Sequence, residues 1–301
     1  MPSLLCGTLN FKLFELTETM HQKDDTNFAD LLGRLRVGKQ SQDDIIALKA
    51  HQTTPDDPSI ENCMRIYSLN VDVDTFNEKQ LQKLHTQTVT IKAKDKLPSE
   101  CTNQSSAVVD EHNSGLASTL TLKVNARVML IRNVDTELGL FNGALGTITG
   151  FLPMHSTSPT NVLVLFDNNE VQTMARLRYP QFNSAYPIER FEARFPVHRR
   201  GNKYLEATRL QFPLKIAFAT TIHKCQGQTL QSVVVSLRGY FGPGQAYVAL
   251  SRCKKLSNLH LTDFDERCIK VNKQGLAALQ LMKTPCQLHM QSGSLLTTTS
   301  S

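Results

Sequence analysis

The hydrophobic rhythm of the chain changes as it runs. Phe28, Leu31, Leu32 and Leu35 recur at i, i+3, i+4 and i+7, the spacing of one helix face, and Gly38 is placed to end that helix. Ser41 followed three residues later by Asp44 predicts a capping box, with Ile45, Ile46 and Leu48 as the apolar face behind it. Residues 11–16 and 63–69 read as short apolar strands. Residues 76–84 read as a helix with Phe76, Leu81 and Leu84 inward. Residues 87–116 are mostly polar, with Lys92, Lys94 and Lys96 close together, and read as a linker or exposed insertion.

Beyond this stretch the pattern becomes that of short strands. Residues 126–131, 146–151 and 162–166 are β-type runs punctuated by Gly139, Gly143, Gly146 and Gly150, and residues 171–177 and 191–197 can add further strands. Several short strands at close spacing predict a small barrel. From Phe212 the rhythm changes again. Residues 214–220 are apolar, residues 232–237 form a Val-rich strand, residues 246–250 begin a helix, and residues 265–283 suit a closing helix. The Ser/Thr-rich end is expected to be disordered. An α/β segment, an all-β segment and a second α/β segment are what a barrel inserted into an α/β domain would produce.

Composition adds limits. The 301 residues carry a net charge of +6 and are 40% hydrophobic, enough for one large domain or two small ones; the mild basicity permits a polyanionic partner without requiring one. The seven cysteines, at positions 6, 63, 101, 225, 253, 268 and 286, include no CxxC pair, which argues against a zinc ribbon and for free thiols in a reducing compartment. No apolar run spans a membrane and residues 1–10 lack a signal-peptide pattern, so the expectation is a soluble intracellular protein with no membrane partner. The triplet Asn103-Gln104-Ser105 matches a glycosylation sequon of the kind that arises by chance.

One run approaches a phosphate-binding loop. Gly33-Arg34-Leu35-Arg36-Val37-Gly38-Lys39-Gln40 fits GxxxxGK[ST] except at its end, where Gln40 has no hydroxyl for magnesium. Its first glycine also falls inside the apolar helix face, where a P-loop needs a preceding strand. It is therefore read as a helix end.

The runs that carry chemistry lie elsewhere. Pro213-Leu214-Lys215-Ile216-Ala217-Phe218-Ala219-Thr220-Thr221-Ile222-His223-Lys224-Cys225-Gln226-Gly227 and Gly244-Gln245-Ala246-Tyr247-Val248-Ala249-Leu250-Ser251-Arg252 resemble the fifth and sixth motifs of the Pif (petite integration frequency) family of DNA helicases, which includes the helicase parts of Helitron transposons. Phe14-Glu15-Leu16-Thr17-Glu18-Thr19-Met20-His21-Gln22 resembles the fourth motif. Leu122-Lys123-Val124-Asn125-Ala126-Arg127-Val128-Met129-Leu130-Ile131-Arg132-Asn133, with Phe141-Asn142-Gly143 downstream, is similar to the entry into the family's inserted Src-homology-three-like barrel. The resemblance covers residues 10–265.

It implies a second RecA-like helicase domain of α/β class, interrupted by a small all-β barrel. The expected divisions are 10–86 and 205–284 for the RecA-like parts, 87–116 for the linker, 117–204 for the barrel and 285–301 for the tail. In such motors ATP lies between two RecA-like domains, and the second supplies an arginine to the transferred phosphoryl group. By resemblance that arginine is Arg252. Gln22, Gln226, Gly227 and Gln245 are then expected near the nucleotide, Gly227 for its backbone freedom and the glutamines for their two-way hydrogen bonding. Thr221, His223, Lys224, Asn70 and Lys123 are expected toward single-stranded DNA or DNA junctions. His223 reads equally well as a hydrogen bond within its loop, and Tyr247 as packing under its helix. Arg127 and Arg132 accompany Lys123 on the barrel entry, and His198-Arg199-Arg200 with Lys203 forms a further basic turn.

Two positions depart from the family. His21 stands where the fourth motif normally has an arginine, and a histidine cannot reproduce that always-charged fork. Leu69 stands where a hydroxyl or small polar residue normally precedes the asparagine, here Asn70. The first RecA-like domain, with its P-loop and acidic magnesium site, is not among these motifs. The intact family uses ATP and Mg2+, neither expected to bind tightly to this chain alone. The leading expectation is the C-terminal motor half of a 5′-to-3′ helicase, with a missing N-terminal motor domain as partner. A non-catalytic single-stranded-DNA-binding module is the alternative, and a protein-interaction platform a weaker third. The nucleus is the first expected compartment and the mitochondrion the second.

Overall fold

The computed structural model describes residues 13–15, 22–98, 114–198, 204–239, 241–281 and 285–287. The strands are β1 (Leu13–Glu15), β2 (Met64–Tyr67), β3 (Thr88–Lys92), β4 (Lys94–Lys96), β5 (Thr119–Lys123), β6 (Arg127–Leu130), β7 (Leu145–Leu152), β8 (Asn161–Phe166), β9 (Tyr186–Glu189), β10 (Phe191–His198), β11 (Tyr204–Gln211), β12 (Leu214–Ile216), β13 (Ala219–Thr221), β14 (Val233–Ser236), β15 (Leu259–Thr262) and β16 (Pro285–Gln287). The α-helices are α1 (Thr26–Val37), α2 (Gln42–Lys49), α3 (Asn70–Lys83), α4 (Asn169–Arg178), α5 (Gln245–Leu250) and α6 (Lys273–Leu281). They fall into two compact units, Met1–Ser68 with Gln226–Ser301, and Leu69–Cys225.

The first unit is α/β. β14 runs parallel to β2 on one side and to β15 on the other. All four residues of β14 are buried, as expected of a strand covered on both faces. The predicted face of α1, Phe28, Leu31, Leu32 and Leu35, is buried, and Gly38 ends the helix at φ 71°, a left-handed C-cap. Lys39 N–H returns to the Arg34 carbonyl at 2.9 Å. The near-Walker run is thus the end of a helix and its cap, as the apolar spacing indicated. α2 opens with the predicted capping box, Ser41 and Asp44 exchanging backbone and side-chain bonds. Arg34 also grips Asp44 through two bonds of 2.8 and 2.6 Å.

The second unit is mainly antiparallel. Its largest sheet has the order β12-β6-β7-β8-β9. β8 buries every second residue, Val162, Val164 and Phe166. β7 changes phase at a register shift between Ile148 and Gly150, so that Ile148 and Phe151 both reach the core. Gly146 is needed for the close approach of β7 and β8: a Cβ there would sit 2.6 Å from Val164 Cγ1 and 2.7 Å from the Leu165 carbonyl. β3 and β5 form a two-stranded antiparallel ladder whose Val89, Ile91, Leu120 and Leu122 enter the same core. β10, β11 and β4 make a third sheet, in which buried Arg209 holds Asp95 through two bonds of 2.7 and 2.8 Å and also reaches the Leu116 carbonyl.

Several expectations need correction. Residues 88–96, expected in a linker, contain β3 and β4; the Thr-Val-Thr-Ile-Lys alternation of β3 hides two core residues among polar ones. Residues 171–177, expected as a strand, lie in α4, where Asn168 caps the helix and Val171 and Ala175 supply an i, i+4 face. The helix expected over 76–84 begins at Asn70, and its fully buried side chains are Val73 and Asn77. Ile46 is 57% exposed, on the outer side of α2. The closing helix expected over 265–283 is broken: a short 3-10 turn at Glu266–Cys268 precedes α6. The end expected to be disordered includes β16, which pairs in parallel with β1 and so supplies partners to its backbone. The compact unit around the β core spans Leu69–Cys225, wider than the 117–204 expected for a barrel, because α3, β3 and β12 also pack on that core. Residues 199–203 of the basic turn lie outside the described residues.

The Arg34 guanidinium, followed by the Ser41 backbone bond, holds the Asp44 carboxyl down at about 2, against the opposing effect of burial. A depressed carboxyl stabilises the fold above its unfolded value, and that contribution is lost as pH falls from about 4 toward 2. Arg34 is 44% exposed, so solvent screening reduces the contribution to about 1–2 kcal/mol. Urea unfolding between pH 5 and pH 2 checks this: wild type loses more stability than Asp44→Asn, and equal slopes would refute it.

Candidate nucleotide and nucleic-acid sites

In the first unit, Arg252 follows the short helix α5. Its guanidinium is half-buried and engaged on three sides: Nε donates to the Val248 carbonyl at 2.7 Å, Nη1 to the Gln228 carbonyl at 3.1 Å and Nη2 to Ser251 Oγ at 2.8 Å. A guanidinium has five N–H donors, so two lie outside these bonds. The contact with Gln228 joins the segment just past Gly227 to the end of α5. The backbone joins them again, since Leu230 N–H donates to the Arg252 carbonyl at 2.8 Å and Leu230 bridges Cys253 in parallel.

Gln22 locks the same corner. It is buried, and its amide nitrogen donates to the carbonyls of Ser251 at 3.3 Å and Cys253 at 3.0 Å. Both of its N–H donors are thus turned to the chain, and any ligand contact falls to Oε1. Gln245 is likewise employed locally, its Oε1 accepting from Gly242 N–H at 2.8 Å. Gln226 and Gly227 are exposed, and Gly227 has φ 84°, a left-handed conformation suited to glycine. The structure therefore brings Gln22 and Arg252 together with Gln228, a residue the sequence reading passed over. His21 lies outside the described residues.

In the second unit, β13 ends in a tight turn. Thr221 is buried, and its carbonyl accepts from Lys224 N–H at 3.0 Å and Cys225 N–H at 3.2 Å. Cys225 is buried and its thiol donates to the Ile222 carbonyl at 3.2 Å. His223 and Lys224 face solvent between these anchors. Asn77 clamps the strand region to α3, donating to Ala219 O at 3.2 Å and accepting from Ala219 N–H at 2.8 Å. A cavity of about 510 Å³ opens beside this clamp, lined by Asp74 and Glu78 of α3, Lys123 of β5 and Lys215 of β12, with Leu81 and Ile216 as apolar wall. Lys123 Nζ donates to the Leu84 carbonyl at 2.9 Å.

Lys215 is the residue that sequence reasoning missed there. It stood inside a quoted motif, but nothing in a lone lysine marks it as buried beside another. Burial first, then the neighbouring Lys224, pushes its amine down to about 8, with Asp74 opposing. Asn70, expected toward DNA, is exposed at the start of α3, behind an N-cap position where Leu69 supplies no side-chain bond. Arg127 pairs with Asp167 and Arg132 donates to the Ser114 carbonyl at 2.6 Å, so both have local partners. Among the described residues, no group of three or more His, Cys, Asp or Glu is placed to hold a metal, and no helix is long and apolar enough to cross a membrane.

With this geometry in place, comparison with known proteins identifies the class. Residues 112–151 match the family described as "DNA helicase Pif1, 2B domain". Two solved structures share the fold: a Pif1 helicase from Candida albicans, at TM-score 0.63 and 25% identity over 87% of this chain and 59% of that one, and a Bacteroides Pif1 bound to ssDNA, at TM-score 0.63 and 25% identity over 92% and 58%. These likenesses define a RecA-like fold of the kind those helicases share. The ATP-dependent DNA helicase PIF1 of Danio rerio is 35% identical over 264 residues, covering 87% of this chain and 37% of the relative. That of Homo sapiens is 31% identical over 278 residues, covering 92% and 39%. The chain belongs to the Pif1 family of DNA helicases, and it spans rather more than a third of the length of these relatives.

If Gln22 holds the Arg252 corner, Gln22→Ala strands two buried carbonyls and lowers stability by about 1–3 kcal/mol. The urea midpoint checks the loss. Amide exchange at Leu230, whose N–H is bonded to the Arg252 carbonyl, should speed up in the variant; unchanged exchange there would remove Gln22 from this role.

Proposed function

We propose that the chain is the second motor domain of an ATP-dependent DNA helicase, moving 5′ to 3′ on single strands and opening duplexes, with the β-rich unit as its inserted, Src-homology-three-like DNA-holding domain. The observation that carries this reading is the three-sided anchoring of Arg252. A phosphoryl-transfer arginine works by being in place before charge develops, so that no reorganisation is needed at the moment of reaction. Anchored at Val248, Gln228 and Ser251, Arg252 keeps two N–H donors for a phosphate oxygen. Gln22, Gln226, Gly227 and Gln245 surround or adjoin that corner in the chain and form the nucleotide-side group. Mg2+ and the phosphate cradle belong to a first motor domain. The 301 residues alone are therefore inactive as an ATPase. A DNA substrate places the protein inside the cell, the nucleus first.

Thr221, His223, Lys224, Asn70 and Lys123 form the DNA-side group, and Lys215, in the cavity wall with Lys123, is assigned to it as well. Thr221 acts by building the turn, and the exposed His223 and Lys224 by meeting phosphate. The lysine-lined cavity supports a second reading, a module that holds single-stranded DNA without turning over ATP.

Joining this chain to the preceding motor segment of a Pif1 relative tests the first reading. DNA-stimulated phosphate release from ATP should appear, and Arg252→Ala should reduce it by about a thousandfold or more. Hydrolysis by the 301 residues alone that is lost in Arg252→Ala would refute the inactivity. For the second reading, single-stranded DNA should bind without nucleotide, and Lys224→Ala should lower the salt dependence by about one ionic contact.

A further inference from the structure

We propose that Lys215 is a lysine acylation site: its side-chain amine, set in the wall of the cavity beside a second amine, attacks short acyl thioesters. The argument begins with the placement of the residue. Lys215 lies on β12 and is half-buried, and its neighbour in the wall, Ile216, is apolar. The Asn77 clamp holds this strand region against α3. The cavity is about 510 Å³, within the size range of small-molecule sites.

The groups that face it decide its chemistry. Lys224, in the turn after β13, comes within hydrogen-bonding reach of the Lys215 amine. Two ammonium groups cannot donate to each other, so the contact favours one neutral amine and one ammonium. Lys215, the more enclosed of the two, is the one whose ammonium is weakened, to about 8, so that a minority of it is neutral near pH 7.5 and the rest remains charged. Asp74 acts in the opposite sense and limits the effect, Glu78 lines the same cavity from α3, and Lys123 adds a further positive charge from β5. Desolvation together with an adjacent cation is an established way to make a lysine nucleophilic near neutral pH.

The reaction balances without an oxidant or reductant. The neutral Nζ of Lys215 adds to the thioester carbonyl carbon, the C–S bond breaks, an amide C–N bond forms, and the amine proton leaves with the thiolate as free thiol. The product removes one positive charge from the Lys123, Lys215 and Lys224 group. The inference does not depend on the helicase reading, because the readout needs neither DNA nor ATP.

The test is to incubate the folded chain at pH 7.5 with the acetyl thioester of N-acetylcysteamine and measure acetylation at each lysine by peptide mass spectrometry. A larger neutral fraction, partly offset by lower intrinsic nucleophilicity, leads to Lys215 reacting about tenfold faster than the exposed Lys79 and Lys83 of α3. The advantage disappears in urea, and Lys224→Met reduces it at least twofold. Acetylation of Lys215 no faster than Lys79 and Lys83, or an advantage that survives unfolding, would overturn the proposal. An advantage unchanged in Lys224→Met would overturn the paired-amine geometry on which it stands.

Discussion

The guanidinium of Arg252 is the interaction on which the first unit's site depends. Its side chain touches the segment after Gly227, the last turn of α5 and the Ser251 hydroxyl together. A lysine ammonium holds its three donors on one nitrogen at the end of a flexible stem, whereas the planar fork spreads its donors over three nitrogens and makes all three contacts from one rigid group. The Leu230–Arg252 backbone bond and the two bonds from Gln22 then close the corner from other sides. Removing the guanidinium would release the Gln228 carbonyl and loosen the very segment whose placement a nucleotide would need. On the proposed reading, structural and chemical roles are joined in this arginine. Its loss alters the shape of the corner as well as its charge.

The second unit rests on two other polar clamps. Asn77 is buried on α3 and satisfies both the N–H and the carbonyl of Ala219, which sets β13 and the preceding Lys215 against the helix. Arg209, 2% exposed, spends its donors on Asp95, Ser114 and the Leu116 carbonyl. Such buried contacts are modest sources of net stability, but breaking one by removing a single partner is costly because a buried hydrogen-bonding group, and at Arg209 a charge, is left unpaired. What they define is position: Asn77 places the lysine-lined cavity, and Arg209 ties β11 to β4 and to residues 114–116.

Much of this was legible from the chain alone, and the reason differs by element. The face of α1, its Gly38 cap and the Ser41–Asp44 box were readable because each is a local pattern with a local cause. β7, β8, β10, β14 and α5 were readable from apolar runs of the right length. α4 was mistaken for a strand because Val171, Met174, Ala175 and Leu177 give its short run an apolar content without a clear period, while the burial that decides the matter falls on Val171 and Ala175. β3 was missed because its two core residues alternate with threonines and a lysine. In the site, Arg252 stood out through its motif, but Gln228 contributes a backbone carbonyl, which no side-chain pattern reveals. Lys215 was invisible for a related reason: its significance lies in Lys224 and Asp74 as neighbours, and those contacts exist only after folding.

The turn from Thr221 to Cys225 shows why a contiguous motif can hold residues of unlike physical roles. Thr221, Ile222 and Cys225 are buried; the Thr221 carbonyl accepts two backbone N–H groups and the Cys225 thiol ties back to Ile222. These bonds wind the chain through one tight turn, and a turn so anchored must project the two residues between its anchors. Those are His223 and Lys224, both exposed. These two exposed side chains are therefore held out by neighbours that are themselves buried. On the proposed reading, substituting Thr221 or Cys225 would disturb phosphate recognition only by unwinding the turn, whereas substituting Lys224 removes a charge and leaves the turn intact. The two kinds of defect can be separated in principle, since a charge lost from a sound turn changes the salt dependence of binding, while an unwound turn also costs stability.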